Sequence, residues 1–105
     1  MKVVHEPNQS RFDLLDDGGN ILGEIAYMPG RDNTLYATHT LVEPEYNGRG
    51  YAGILLDALC TYARENDKQI VPMCGYVVDQ FRKEPAKYAD VNARLPVLHF
   101  LAIVS

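Results

Sequence analysis

The 105-residue chain has no tryptophan, only two cysteines and no long apolar run. Each shortage removes a class of function. Cys60 and Cys74 form neither a CxxC pair nor a His/Cys cluster at ligand spacing, so a disulfide framework and a metal site are not expected. Both read first as small buried hydrophobes in a reducing compartment. No stretch approaches the roughly 20 apolar residues that span a bilayer, and the opening MKVVHEPNQS lacks the apolar centre of a signal peptide. A cytosolic protein with no membrane partner is the expectation. Basic residues are also short: 10 Lys and Arg face 14 Asp and Glu, a net charge of −4. Without a basic stripe, nucleic acid is not an expected partner, and the acidic balance favours a cationic one such as an amine.

What is present suits one soluble domain: 47% of the residues are apolar and 23% charged. Short alternating segments come first. Residues 11–16 (RFDLLD), 21–28 (ILGEIAYM) and 34–42 (TLYATHTLV) read as strands, with Ile21, Ile25 and Tyr27 on one face of the second. The turn clusters DDGGN and PGRDN separate them. Residues 3–6 offer a further short strand, and the first 42 residues read as an antiparallel meander. The period then changes. Over residues 50–66 the apolar positions Tyr51, Ile54, Leu55, Ala58, Leu59, Tyr62 and Ala63 follow helical spacing. QIVPM at 69–73 reads as a buried strand, and residues 76–83 as a helix stopped by Pro85. The fold class is α+β or mixed α/β. The tail at 95–105, LPVLHFLAIVS, is apolar at most positions and reads equally as a last strand or as an association segment.

Between strand and helix patterns lies NGRGYAG, with Gly48, Gly50 and Gly53 spelling GxGxxG. A dinucleotide fingerprint needs the first glycine directly after the first strand of a βαβ unit and an acidic residue about 20 positions on. Here three antiparallel strands precede the loop, and about 20 positions past Gly53 the chain reads Pro72-Met73-Cys74 with no carboxylate. No Lys-Ser or Lys-Thr follows the glycines, so a triphosphate loop is excluded. A plain connector is the simplest alternative. Yet three glycines cost chain entropy, and Gly53 inside a helical pattern costs about 1 kcal/mol relative to alanine. Bare backbone at a helix N-terminus is better explained by an anion that approaches the amides closely, with Arg49 adding a cation.

The segment HTLVEPEYNGRGYAGILLDALCTYAREN, residues 39–66, resembles the acyl-coenzyme-A loop and helix of the GNAT superfamily of N-acetyltransferases. That loop pattern, Gln/Arg-x-x-Gly-x-Gly/Ala, matches Asn47, Gly48, Arg49, Gly50, Tyr51 and Ala52, with Asn47 standing where the pattern has Gln or Arg. The likeness extends to the small single-domain YjdJ-type branch. It rests on His39-Thr40, on Pro72-Met73-Cys74 followed by Tyr76, and on an ending of Pro85 with Tyr88-Ala89-Asp90. It covers roughly residues 10–91, so a single domain over 1–91 with a separate tail at 92–105 is expected.

The resemblance implies a mostly antiparallel mixed sheet, splayed between the strands at 34–42 and 69–74. It implies acetyl-CoA or CoA lying in the splay, the pantetheine arm on backbone near Leu41 and Val42, and the pyrophosphate on Arg49 to Gly53. The implied reaction moves an acetyl group to a primary amine, and a non-catalytic acyl-CoA-binding module is the rival reading. Monomer or weak homodimer is the expected state.

Amine attack on a thioester needs a proton acceptor and a donor for the leaving thiolate. Cys74, at a strand end, is a candidate donor or acetyl carrier, against the plainer reading of an inert thiol. His39 is the base candidate by residue type, on a strand face shared with Leu35, Ala37 and Leu41 and expected to look towards Cys74. Glu43, and behind it Glu45, could accept a proton through water, though loop carboxylates are usually solvated. Tyr76 could donate to the thiolate, though buried tyrosines are more often core. Arg82 and Lys83 are candidates for phosphate contacts, against a solvated helix face.

Overall fold

The computed structural model describes residues 1–93. Five strands form one sheet in the order β1-β2-β3-β4-β5: β1 Lys2–Glu6, β2 Arg11–Leu15, β3 Ile21–Pro29, β4 Thr34–Val42 and β5 Gln69–Pro72. β1 to β4 are an antiparallel meander, as the alternation and turn clusters predict. The β2–β3 turn is held by Asp16, whose carboxylate accepts from the amides of Gly18 and Asn20, both at 2.9 Å. β5 runs parallel to β4. A parallel neighbour requires a crossover, and α1, Tyr51–Glu65, supplies it. Two more helices follow, α2 Gly75–Lys83 and a four-residue α3 Pro85–Tyr88 that begins on the proline expected only to stop α2.

α1 forms because its apolar residues recur every three to four positions, and Leu55, Leu56, Leu59, Cys60 and Ala63 are all buried. They pack on Phe12, Leu14, Ile25, Leu35 and Ile70 from the sheet, and Val77, Phe81 and Tyr88 extend the same core. Each fully buried leucine contributes roughly 1.5–3 kcal/mol. The helix ends where the Asn66 side-chain amide donates to Tyr62 O at 2.9 Å and Asp67 turns left-handed at φ 52°. Arg64 then ties α1 to the chain after α3 through Asp90 at 2.7 Å. No helix among the described residues is long and apolar enough to cross a membrane.

Two local irregularities alter the faces expected from strict alternation. Between Leu14 and Leu15 the β2–β3 register shifts, so Ile21 is 48% exposed rather than sharing the core face with Ile25 and Tyr27. The second lies in β4. Tyr27 pairs with Ala37 but Ala26 pairs with His39, which leaves Thr38 as a bulge residue. One extra residue inverts everything after it. Leu35 and Ala37 face the helices, whereas His39 and Leu41 turn to the opposite face, which carries no helix among the described residues; Thr40, paired with buried Ile25, takes the inner side. The expectation that His39 shares a face with Leu35 and Ala37 is thereby corrected.

At the far edge, Ile70 and Asn92 form a parallel bridge, with Ala93 N–H donating to Ile70 O at 2.9 Å. The apolar stretch 95–105, read as a last strand or association segment, lies outside the described residues.

Candidate active site

β4 and β5 share only four pairs, from Thr34–Gln69 to Ala37–Pro72. Beyond them the chains part. The amides of Met73 and Cys74 both turn back onto Ala37 O, at 3.0 and 3.1 Å, and the chain enters α2. Among the described residues, β4 continues from Thr38 to Val42 with a strand neighbour on its β3 side only. Among those residues the backbone of Leu41 and Val42 is thus an unpaired sheet edge. Because β4 and β5 are parallel, their C-terminal ends meet at one end of the molecule, the end at which ligands of such units bind. The N-termini of α1 and α2 arrive there as well.

The glycine loop caps α1 at this end. After β4 a short 3-10 turn, Pro44–Tyr46, delivers Asn47, and Gly48 and Gly50 then adopt left-handed φ of 82° and 78°. An L side chain is strained at such angles, so both positions demand glycine. A Cβ on either would meet nothing within 4 Å: the space is open and only the backbone needs the glycine. Gly50 is the N-cap residue with no side-chain cap. The first helical bond runs from Ile54 N–H to Gly50 O at 3.2 Å, so the amides of Tyr51, Ala52 and Gly53 precede any intrahelical acceptor. Arg49 is exposed, its guanidinium 5.3 Å from the Tyr46 ring centroid, and Tyr46 stands 6.0 Å from Tyr51. Bare amides, the positive end of the helix dipole and one arginine make a cradle that fits a pyrophosphate. Asn47 lies exposed at its rim, its amide bonded to Pro44 O at 3.2 Å.

Cys74 sits at the parting of the strands as the N-cap of α2, half-buried. Its Sγ is 3.4 Å from Thr40 Oγ. Tyr76, in the first turn of α2, aims its hydroxyl at the first turn of α1, where a methyl added at Gly53 would lie 3.7 Å from the phenol oxygen. Burial raises the Tyr76 pKa, so the hydroxyl keeps its proton. The other thiol differs: Cys60 is fully buried in α1, and burial pushes it up to about 11. It reads as core.

His39 is not on the Cys74 side. On the face opposite α1 and α2 its side chain is 50% exposed, with Nε2 3.9 Å from Glu24 Oε2 of β3. The bulge thus divides the candidates, with Cys74 and Tyr76 on the helix side of the sheet and His39 on the other. Glu43 and Glu45 are exposed at the exit of β4. Arg82 and Lys83 are engaged with Asp79, each at 2.9 Å, which favours the solvated-face reading over phosphate contacts. Thr40 and Glu24 did not stand out in the sequence as site residues, because only the register brings them to Cys74 and His39. Two cavities of about 470 and 490 Å³ lie elsewhere, one by Arg64 and Asp90 and one by His5 and Tyr62; the glycine loop and Cys74 line neither. Among the described residues no group of three His, Cys, Asp or Glu side chains is placed to hold a metal.

A strand edge beside bare helix N-terminal amides is an arrangement that could take a long ligand with an anionic end. Known proteins give that arrangement a family. The model described as GCN5-related N-acetyl-transferase matches residues 11–91, and the chain belongs to this family. The solution structure of a GCN5-like protein from Staphylococcus aureus superposes with a TM-score of 0.70 at 32% identity, covering 87% of this chain and 86% of the other. A GNAT-family acetyltransferase from S. aureus Mu50 gives 0.61 at 16%, covering 75% and 54%. Tetrahymena GCN5 gives 0.60 at 13%, covering 70% and 48%. These last two share the fold. The curated proteins contain no match.

Proposed function

We propose that the chain is an acetyl-CoA-dependent N-acetyltransferase that acylates a primary amine. The observation that carries this reading is the parting of β4 from β5 at Ala37 and Cys74, in line with the amide cradle of the glycine loop. The co-substrate supplies an activated acetyl thioester. The chain supplies the rest. Arg49 and the amides from Gly50 to Gly53 hold the pyrophosphate, and the free edge of β4 at Leu41 and Val42 bonds the amide-bearing arm. Those contacts bring the thioester end to the gap in the sheet, beside Cys74.

The candidate residues lie on both faces of the sheet, Cys74 and Tyr76 on one and His39 on the other, and the two faces take different tasks. An amine reacts only as the neutral base, so its proton must leave. His39, on the open face, accepts it, with the Glu24 carboxylate steadying the imidazolium that results. Glu43, exposed at the exit of the strand, passes the proton to water. On the helix side the leaving thiolate needs a proton, and Cys74 donates it. Tyr76, protonated and directed at the same space, is a further hydrogen-bond donor to the ligand arm.

Calorimetry with acetyl-CoA, CoA and NAD, followed by a thiol-release assay across amines, polyamines and peptides, tests this. Heat with both CoA species, none with NAD, and CoA release dependent on an amine are expected. No heat with either CoA species overturns the reading. Binding without release under every amine supports a non-catalytic acyl-CoA module instead. Full turnover in Cys74→Ala removes Cys74 as the proton donor.

A further inference from the structure

We propose that Thr40 is a positioning residue for Cys74: its hydroxyl donates to Cys74 Sγ, directs the thiol into the gap and stabilises the sulfur when it loses its proton. The catalytic consequence rests on the acetyltransferase reading; the contact itself does not. Three observations carry it. First, the Thr38 bulge brings Thr40, not its neighbour His39, to the side of the sheet on which Cys74 lies. Second, the 3.4 Å separation joins atoms 34 residues apart in sequence, between the lone stretch of β4 and the N-terminus of α2. It is the one side-chain hydrogen bond among those of the described residues that spans the gap. Third, Thr40 has little else to do: its backbone is paired with Ile25, and the side chain is half-buried facing the space just past the last β4–β5 pair.

The chemistry follows from the inventory of donors. A hydroxyl both donates and accepts, and a thiolate only accepts. In the resting thiol, Thr40 donates to Sγ and leaves the S–H free to point at the ligand. When the S–H bond breaks and its proton forms a new S–H bond on the departing coenzyme sulfur, the electron pair left on Cys74 stays in a hydrogen bond that already exists. Water then returns a proton to Cys74. No redox change occurs. The N-terminus of α2, with Cys74 as its cap, adds its dipole in the same sense. A valine at position 40 keeps the shape and removes the donor; a serine keeps the donor.

The test is alkylation of Cys74 by iodoacetamide in full-length wild type, Thr40→Val, Thr40→Ala and Thr40→Ser, with the site confirmed by peptide mass. The reagent reads the thiolate directly and needs no acyl donor. Losing one hydrogen bond to a charged sulfur should slow alkylation about five- to tenfold in the Val and Ala variants, with Ser near wild type. CoA affinity by calorimetry should stay within about twofold in all of them, since Thr40 lies away from the pyrophosphate cradle. Equal alkylation rates in wild type and both donor-free variants overturn the proposal, whatever the turnover. A slowed serine variant also overturns it, because packing rather than the hydroxyl would then be responsible. If wild type acylates no amine while the alkylation series behaves as expected, the acetyltransferase reading fails and the Thr40–Cys74 contact stands.

Discussion

Replacing Gly53 by alanine should make the protein more stable and a worse binder of coenzyme A. Gly53 is the third residue of α1 and, unlike Gly48 and Gly50, has no positive φ. An added Cβ meets only the Tyr76 hydroxyl, at an ordinary 3.7 Å. Alanine is therefore accepted without strain, and the helix gains about 0.5–1 kcal/mol from the lower entropy of its unfolded chain. For a domain of this size that raises the melting temperature by roughly 2–8 °C. The cost falls on the ligand. Cβ atoms on a helix tilt towards its N-terminus, so the methyl projects to where, on the proposed function, the pyrophosphate would rest on the amides of Tyr51 to Gly53. Displacing the anion by a methyl radius weakens each of its amide hydrogen bonds, and loss of one charge-assisted bond corresponds to about tenfold or more in Kd. Differential scanning fluorimetry of the free protein and calorimetry with CoA read the two effects separately. A destabilised variant would refute the packing argument. A stabilised variant that binds CoA like wild type would refute the cradle.

Three further outcomes follow from the geometry. His5 bonds the Tyr27 hydroxyl at 2.7 Å and stacks on Phe12, and burial lowers its pKa from 6.5, partly opposed by Glu6. The unfolded chain then binds the proton more readily, so this residue's contribution to stability is present above pH 6.5 and declines as the pH falls below it; urea midpoints from pH 7.5 to 5 should fall less steeply in His5→Phe. With the Cys60 thiol pushed up to about 11 and fully buried, Ellman's reagent at pH 8 should titrate one thiol per native chain and both after unfolding. Asp13 is buried at 5% exposure and is held by Arg11 Nε at 3.0 and 3.2 Å, so Arg11→Ala should cost roughly 1–3 kcal/mol in urea denaturation, and Asp13→Asn with Arg11→Ala less than the sum.

The strands of the meander, the long helix and the strand after it follow the apolar spacing nearly residue for residue, and β4 has the bounds expected for it. The glycine loop at the start of α1 is equally plain, and Gly48 and Gly50 take the left-handed φ that glycine allows. The β-bulge is not. Residues 34–42 carry no glycine or proline to mark it, and a bulge is a mismatch between two strands that neither displays alone. Counting by twos along β4 therefore puts His39 with Ala37, and the error reaches the site. Asp13 is concealed in the same way: it alternates with Phe12 and Leu14 like a surface residue, yet it is buried on a central strand beside Arg11.

Periodicity and backbone demand act within a few residues, so the meander, the long helix and the glycine loop before it are legible in the chain alone. The resemblance carried on those residues set the family. Which side chains meet was settled by packing and register: Thr40 with Cys74 across the parting of β4 and β5, His39 with Glu24 on paired strands, Tyr76 near Gly53 between two helices. The reason is physical. Strand pairing is read residue against residue across two chains, and one unmatched residue reverses every face beyond it.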